Sequence, residues 1–207
     1  MAKSINLCWR NGRKWCCQYL WHNAVAAYST GLRVQQFATL AYFNMAQAFA
    51  TFAAQNLGAK KTDRIEDAFK KVAFISIILS VISSIVIFFF GDSIVSWFIA
   101  DDDAHREIIV EMSRQFLTIS AYFFPFLGLI WLYNNTLRGM GEVPAPLISG
   151  IVELISKIGL SLLLGMMFGY IGVWYAGPIG WALGLVPSFI EYHRKRWHRL
   201  ADRIVGS

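Results

Sequence analysis

VAFISIILSVISSIVIFFF, residues 72–90, is the stretch that decides how this chain folds. It runs for 19 residues without a charge and is built of β-branched, aromatic and aliphatic side chains with four scattered serines. At a rise of about 1.5 Å per residue, a helix of that length spans roughly 28 Å, close to the ~30 Å of a bilayer's hydrocarbon core. Three further windows read the same way. Residues 115–137 are uncharged and aromatic-rich, residues 146–168 are apolar except for Glu153 and Lys157, and residues 171–190 are uncharged and hold Trp174 and Trp181. A fifth window, residues 34–55, is uncharged but more polar, with Gln35, Gln36, Asn44, Gln47, Thr51 and Gln55. The expected fold class is all-α, a polytopic membrane helix bundle of about five transmembrane helices.

The whole composition agrees with that pattern. Of 207 residues, 56% are hydrophobic and only 15% charged, with a mean hydropathy of +0.46. Soluble domains carry about a quarter charged residues. The net charge of +6 sits in clusters at the ends of apolar runs, not on a face interleaved with stacking aromatics, so it marks the membrane surface and not a nucleic-acid partner. Catalytic signatures are missing: there is no HExxH, GxSxG or GxxxxGK motif, and His22, His105, His193 and His198 lie in the leader, an acidic loop and the basic tail. The chain does not read as an enzyme. Cys8, Cys16 and Cys17 share no metal-ligand spacing, and no cofactor is expected.

Turn chemistry separates the windows: Gly58-Ala59-Lys60-Lys61, the 139–144 run from Gly139 to Pro144, and Gly169. A bend is expected at Gly91-Asp92, followed by a short surface stretch over 93–100 and the acidic Asp101-Asp102-Asp103. Pro125 and Pro187 predict kinks. Placing Lys60, Lys61, Arg64, Lys70, Lys71, Arg138 and the tail Arg194, Lys195, Arg196, Arg199 and Arg203 on one side gathers 11 of the 19 Lys and Arg there. By the positive-inside rule this side, with the C-terminus, is cytoplasmic, in a bacterial plasma membrane. Residues 1–23 then fall on the wrong side, with Lys3, Arg10, Arg13 and Lys14 and no acid. They read as a basic leader foreign to the fold, or as a short targeting presequence, ahead of a lobe over 24–207.

Three ordered motifs carry a resemblance. They are Val25-Ala26-Ala27-Tyr28-Ser29-Thr30-Gly31 leading into a helix closed by Gln55-Asn56-Leu57-Gly58-Ala59-Lys60-Lys61; Asn135-Thr136-Leu137-Arg138-Gly139-Met140-Gly141; and Gly150-Ile151-Val152-Glu153-Leu154-Ile155-Ser156-Lys157. Residues 24–207 are similar throughout to the C-terminal lobe of the multidrug and toxic compound extrusion (MATE) family. The resemblance implies two six-helix lobes in a complete member, which export cationic or amphiphilic compounds in exchange for Na⁺ or H⁺. The five helices here would be the eighth to the twelfth. Alternating access rocks one lobe against the other, so it implies a partial transporter, inactive alone or paired with a separately encoded N-terminal half. The alternative is a membrane interaction protein that transports nothing. Some members use an acid in the tenth helix for cation coupling; here that position is near Leu127 and is apolar.

Glu153 and Lys157 are the ionisable pair well inside a spanning window, and at i, i+4 they share a helix face. Intramembrane charge is expensive, so Glu153 is a candidate for a substrate or cation pathway and Lys157 for its structural counter-ion. Asn44, Gln47, Thr51 and Gln55 fall within about 80° of one another on a helix. That stripe lines a cavity or bonds to neighbouring helices. Phe123, Phe124, Phe126, Trp131 and Tyr133 offer either aromatic surface to a lipophilic cation or core packing. Asn134 and Asn135 read as caps or turn formers, and Trp174, Trp181 and Trp197 partly as interfacial anchors.

Overall fold

A computed structural model describes the backbone of residues 13–99 and 106–194, with side chains from residue 22 onward. All regular structure among the described residues is helical: α1 (Arg13–Gly58), α2 (Thr62–Ser96), α3 (Arg106–Ala121), α4 (Phe124–Gly139), α5 (Pro144–Phe168) and α6 (Tyr170–His193). The acidic run at 101–103, His105 and the tail from Lys195, with Trp197 and His198, lie outside the described residues. The helix α4 is central, packing on α1, α2, α5 and α6, while α5 leans chiefly on α6.

Helices α2, α5 and α6 are long and apolar enough to cross a membrane, and α3 with α4 qualify as a fourth, broken span bent by 57°. The chain is a multi-pass membrane helix bundle. Among the described residues the count by length and composition is therefore three, or four with the bent pair as one span, where five windows were expected. Helix α1 is 46 residues long, ample to span, but its amides and Arg33 leave it too polar to pass with the others. It also starts well before residue 34, because nothing between Arg13 and that point removes a backbone donor. The expected bend at Gly91-Asp92 is absent. Helix α2 continues to Ser96 with Gly91 buried, since an isolated glycine lowers helix propensity without breaking the ladder.

The break between α3 and α4 has a specific cause. Pro125 has no N–H, so the Ala121 carbonyl loses its intrahelical partner. The helix tightens there, with Phe123 N–H donating to the Ser120 carbonyl at 2.9 Å, and restarts at Phe124 with Pro125 in its first turn. Ser84 Oγ of α2 donates to the vacated Ala121 carbonyl at 2.7 Å. Residues 115–137 thus form the core of one span made of two helices. Pro187 and Pro178, by contrast, lie inside the uninterrupted α6.

Packing elsewhere depends on small residues. Along α6, Gly172, Ala176, Gly180, Gly184 and Ser188 recur every fourth residue, and all are buried. A Cβ on Gly180 would stand 2.8 Å from Lys157 Cγ, and one on Gly184 would stand 3.0 Å from Glu153 Cβ. This is how membrane helices approach closely without a hydrophobic driving force between them. Gly139 has the same duty at the α1–α4 crossing, where an added Cβ would overlap the Ala50 carbonyl oxygen.

Candidate functional site

The repeat of small residues on α6 brings α5 close enough for Glu153 and Lys157 to face inward into a cavity. Its volume is about 320 Å³, and its walls come from α1, α3, α4, α5 and α6. Helix α5 supplies Glu153, Lys157 and Ser161 at successive turns, and α1 supplies Tyr28, Leu32 and Gln35. Aromatic rings close the rest: Phe116, Trp131, Trp174 and Trp181. Lys157 Nζ lies 2.5 Å from Glu153 Oε1 and 5.8 Å from the Trp181 ring centroid, so the carboxylate and an indole face share one ammonium. The side chains of Lys157 and Glu153 are 37% and 25% accessible. Both therefore remain open to the cavity. Gln35 is buried, and its Oε1 has no hydrogen-bond partner among the described residues.

A polar clamp holds the other end of this wall. Asn134 Nδ2 donates to Ser149 Oγ at 3.2 Å, Ser149 Oγ donates to the Gly184 carbonyl at 2.5 Å, and Ser188 Oγ donates to Asn134 Oδ1 at 2.5 Å. Four groups on α4, α5 and α6 thus bind one another one turn from Glu153. Asn134 is consequently an interhelical clamp and neither a cap nor a turn former, whereas Asn135 bonds back within its own helix, donating to the Trp131 carbonyl at 2.9 Å.

The amide stripe lies elsewhere. Asn44, Gln47, Thr51 and Gln55 are all exposed, as are Arg33 and Gln36, and none of the four lines the Glu153 cavity. At 100° per residue, Arg33, Gln36, Asn44, Gln47, Thr51 and Gln55 occupy an arc of about 100° on the side of α1 turned away from the bundle. Trp174 and Trp181 are not interfacial anchors: they are 3% and 7% accessible and form cavity wall. Of the α4 aromatics, Phe124 and Tyr133 are core, Phe126 is exposed and Trp131 reaches the cavity. Leu127 reaches it too, buried on the same wall system. Gln35, Tyr28 and Phe116 were not picked out as site residues from sequence; the only signal for Tyr28 and Gln35 was that they share one face of α1, and Phe116 of α3 had none.

Comparison with known proteins then decides the family. A family model described as MatE matches residues 14–163, nearly three quarters of the chain. The chain belongs to the MatE family. Two Bacillus subtilis (strain 168) proteins are similar to it: probable multidrug resistance protein YoeA, 22% identical over 183 residues, and probable multidrug resistance protein YpnP, 21% identical over 176 residues. These alignments take in 86% and 84% of this chain but only 38% of each relative. The MatE match opens at residue 14, so it takes in part of the leader as well as α1, and it runs through α5 past Glu153 and Lys157.

Proposed function

We propose that this chain forms the C-terminal lobe of a MATE-type exporter of amphiphilic cations, driven by Na⁺ or H⁺ and completed by a second lobe. The observation that carries the reading is a carboxylate, Glu153, held in an aromatic-walled cavity inside a membrane bundle. Such a cavity suits a lipophilic cation: the rings offer their negative faces and one acid supplies the counter-charge. Lys157 occupies that counter-charge in the empty site, and an arriving cation competes with it for the Glu153 carboxylate. The exchange fits a transporter, because the site is neutral when empty and need never expose a lone charge to lipid. Leu127 stands where the resemblance expects a family acid, and Glu153 opens on the same cavity. We assign the cation site to Glu153 for that reason.

The polar stripe of α1 supports a completing lobe. Amides and an arginine turned toward hydrocarbon would each cost several kcal/mol. The outward faces of α2 and α5 are aliphatic and aromatic, as lipid demands, with Phe74, Ile78, Ile82, Leu154, Ile158 and Leu162 exposed. Against that background α1 turns amides outward, interleaved with the exposed Phe37 and Leu40, so we take Asn44, Gln47, Thr51 and Gln55 to face a wet substrate path between lobes. We place the protein in the bacterial plasma membrane with its C-terminus cytoplasmic. The test is drug resistance in an efflux-deficient strain. The chain alone is expected to give none above an empty vector, and co-expression with the N-terminal lobe of a relative is expected to give resistance that Glu153→Gln removes. Resistance from the chain alone, or resistance unchanged by Glu153→Gln, refutes the reading.

A further inference from the structure

A second cavity, sharing no residue with the Glu153 site, lies on the flank of the bundle between α2 and α6. Its volume is about 410 Å³, and Tyr133 of α4 forms its floor. The floor and back wall are a knot of rings. Phe69 stacks on Tyr192 with centroids 4.2 Å apart and meets Tyr133 edge-on at 4.8 Å, while Tyr133 meets Tyr192 edge-on at 5.4 Å. His193 closes one side, tilted against Tyr133 at 6.2 Å. Charge of both signs rims this end: Glu66 and Lys70, one turn apart on α2, with His193 opposite. Further along, the cleft turns wholly apolar through Ala73, Phe74 and Ile77, and Phe74 is 65% accessible. From Lys70 to Ile77 the helix rises about 10 Å, which separates the charged mouth from the greasy end.

We propose that this cleft binds one zwitterionic aminophospholipid, of the ethanolamine headgroup type, from the leaflet at the Lys-rich end of the bundle. The occupant must carry a cation, an anion and an alkyl chain in that order of depth. Glu66 and the ring faces of Phe69, Tyr133 and Tyr192 take the ammonium, and Lys70 and His193 take the phosphate. An acyl chain then lies along Ala73, Phe74 and Ile77 and leaves over the apolar outer face of α2. The pairing of charges excludes the simpler amphiphiles. A lipophilic cation would offer Lys70 no anion, and an anionic lipid with a neutral headgroup would offer Glu66 no cation.

The test is native mass spectrometry of the delipidated full chain, given equal amounts of phosphatidylethanolamine and phosphatidylglycerol with identical acyl chains. Retention of the ethanolamine lipid is expected to exceed that of the glycerol lipid by on the order of tenfold. Glu66→Gln is expected to bring the ratio to near one, and Lys70→Gln to lower retention of both lipids, with helicity by circular dichroism unchanged in each. Phe74→Ala, at an exposed position that cannot disturb the core, is expected to lower retention of both lipids. Water-soluble phosphoethanolamine, lacking the chain, is expected not to compete. Equal retention of the two lipids in the unaltered protein, displacement of the lipid by tetraphenylphosphonium, or competition by phosphoethanolamine would each overturn the assignment.

Discussion

Replacing Ser84 and Pro125 singly and together isolates the device that breaks the α3–α4 span. In the native chain the Ala121 carbonyl cannot receive a bond from position 125, and Ser84 Oγ supplies one at 2.7 Å from the neighbouring helix. The same hydroxyl also lies 2.8 Å from the Ser80 carbonyl, so its single proton is shared and the bond to Ala121 is weaker than an undivided one. Interhelical hydrogen bonds in membranes average about 0.6 kcal/mol and reach about 1.7. Ser84→Ala removes the donor that replaces a helical bond in a dry interior, so it belongs near the top of that range, about 1.5 kcal/mol. Pro125→Ala returns an N–H that can close the ordinary helical bond to Ala121. In that background Ser84→Ala is expected to cost only about 0.5 kcal/mol, a coupling of about 1 kcal/mol between two residues on different helices. Reversible unfolding by sodium dodecyl sulfate in bicelles reads all four species. Additive costs, with Ser84→Ala equally harmful in the native chain and in the Pro125→Ala background, would refute the claim that the serine substitutes for the proline's missing donor.

Four other variants can be checked by the same unfolding assay or by cation binding. Gly139→Val is expected to cost at least about 3 kcal/mol, since its Cβ must displace the Ala50 backbone carbonyl, whereas Gly159→Ala, with nothing within 4 Å, should stabilise α5 slightly, by about 0.5 kcal/mol. Asn134→Leu removes two bonds of the α4–α5–α6 clamp and takes from Ser188 its acceptor, while Ser149 keeps its bond to the Gly184 carbonyl, with an expected loss of about 2 kcal/mol and thermal melting lowered accordingly. In a completed transporter, Lys157→Met is expected to raise affinity for a lipophilic cation by roughly tenfold, because the substrate no longer competes for Glu153. Unchanged or weaker cation binding by that variant would count against the exchange of ammonium for substrate.

How far these features were legible depends on what each window leaves to be read. A run such as residues 72–90 announces a spanning helix through length and the lack of charge alone. Being apolar all round, it hides which side faces protein, and only the serines tell: Ser76 and Ser80 are buried, and Ser83 and Ser84 donate to carbonyls of α1 and α3. The Glu153–Lys157 pair was visible because charge inside such a window is rare, and the i, i+4 spacing fixed their contact. The cavity around them was not, since Trp174 and Trp181 carry the same composition whether they anchor at an interface or line a wall. The α6 repeat at 172, 176, 180, 184 and 188 was readable as a period of four small residues and would have located the closest helix contact. The unbroken passage through Gly91 was not readable, because a glycine before an aspartate is a turn signal that packing on a neighbouring helix overrides.

The faces of the bundle argue for its place in a larger assembly more strongly than any single residue. Each outward surface reports the solvent it was selected for. On α2 it is Phe74, Ile75, Ile78, Ile82, Ile85 and Phe89, and on α5 Leu154, Ile155, Ile158 and Leu162, which bilayer hydrocarbon accepts at no cost. On α1 it is Arg33, Gln36, Asn44, Gln47, Thr51 and Gln55, which hydrocarbon would reject, with the exposed Phe37 and Leu40 set among them. The same helix presents Tyr28, Leu32 and Gln35 to the Glu153 cavity on a face rotated by roughly 120° from the stripe. A cation that reaches Glu153 from the wet side must therefore round or displace α1. On the proposed reading, α1 is the element a cation passes between the two surfaces. A crosslink between α1 and α6 that leaves Glu153 in place should abolish transport while sparing cation binding.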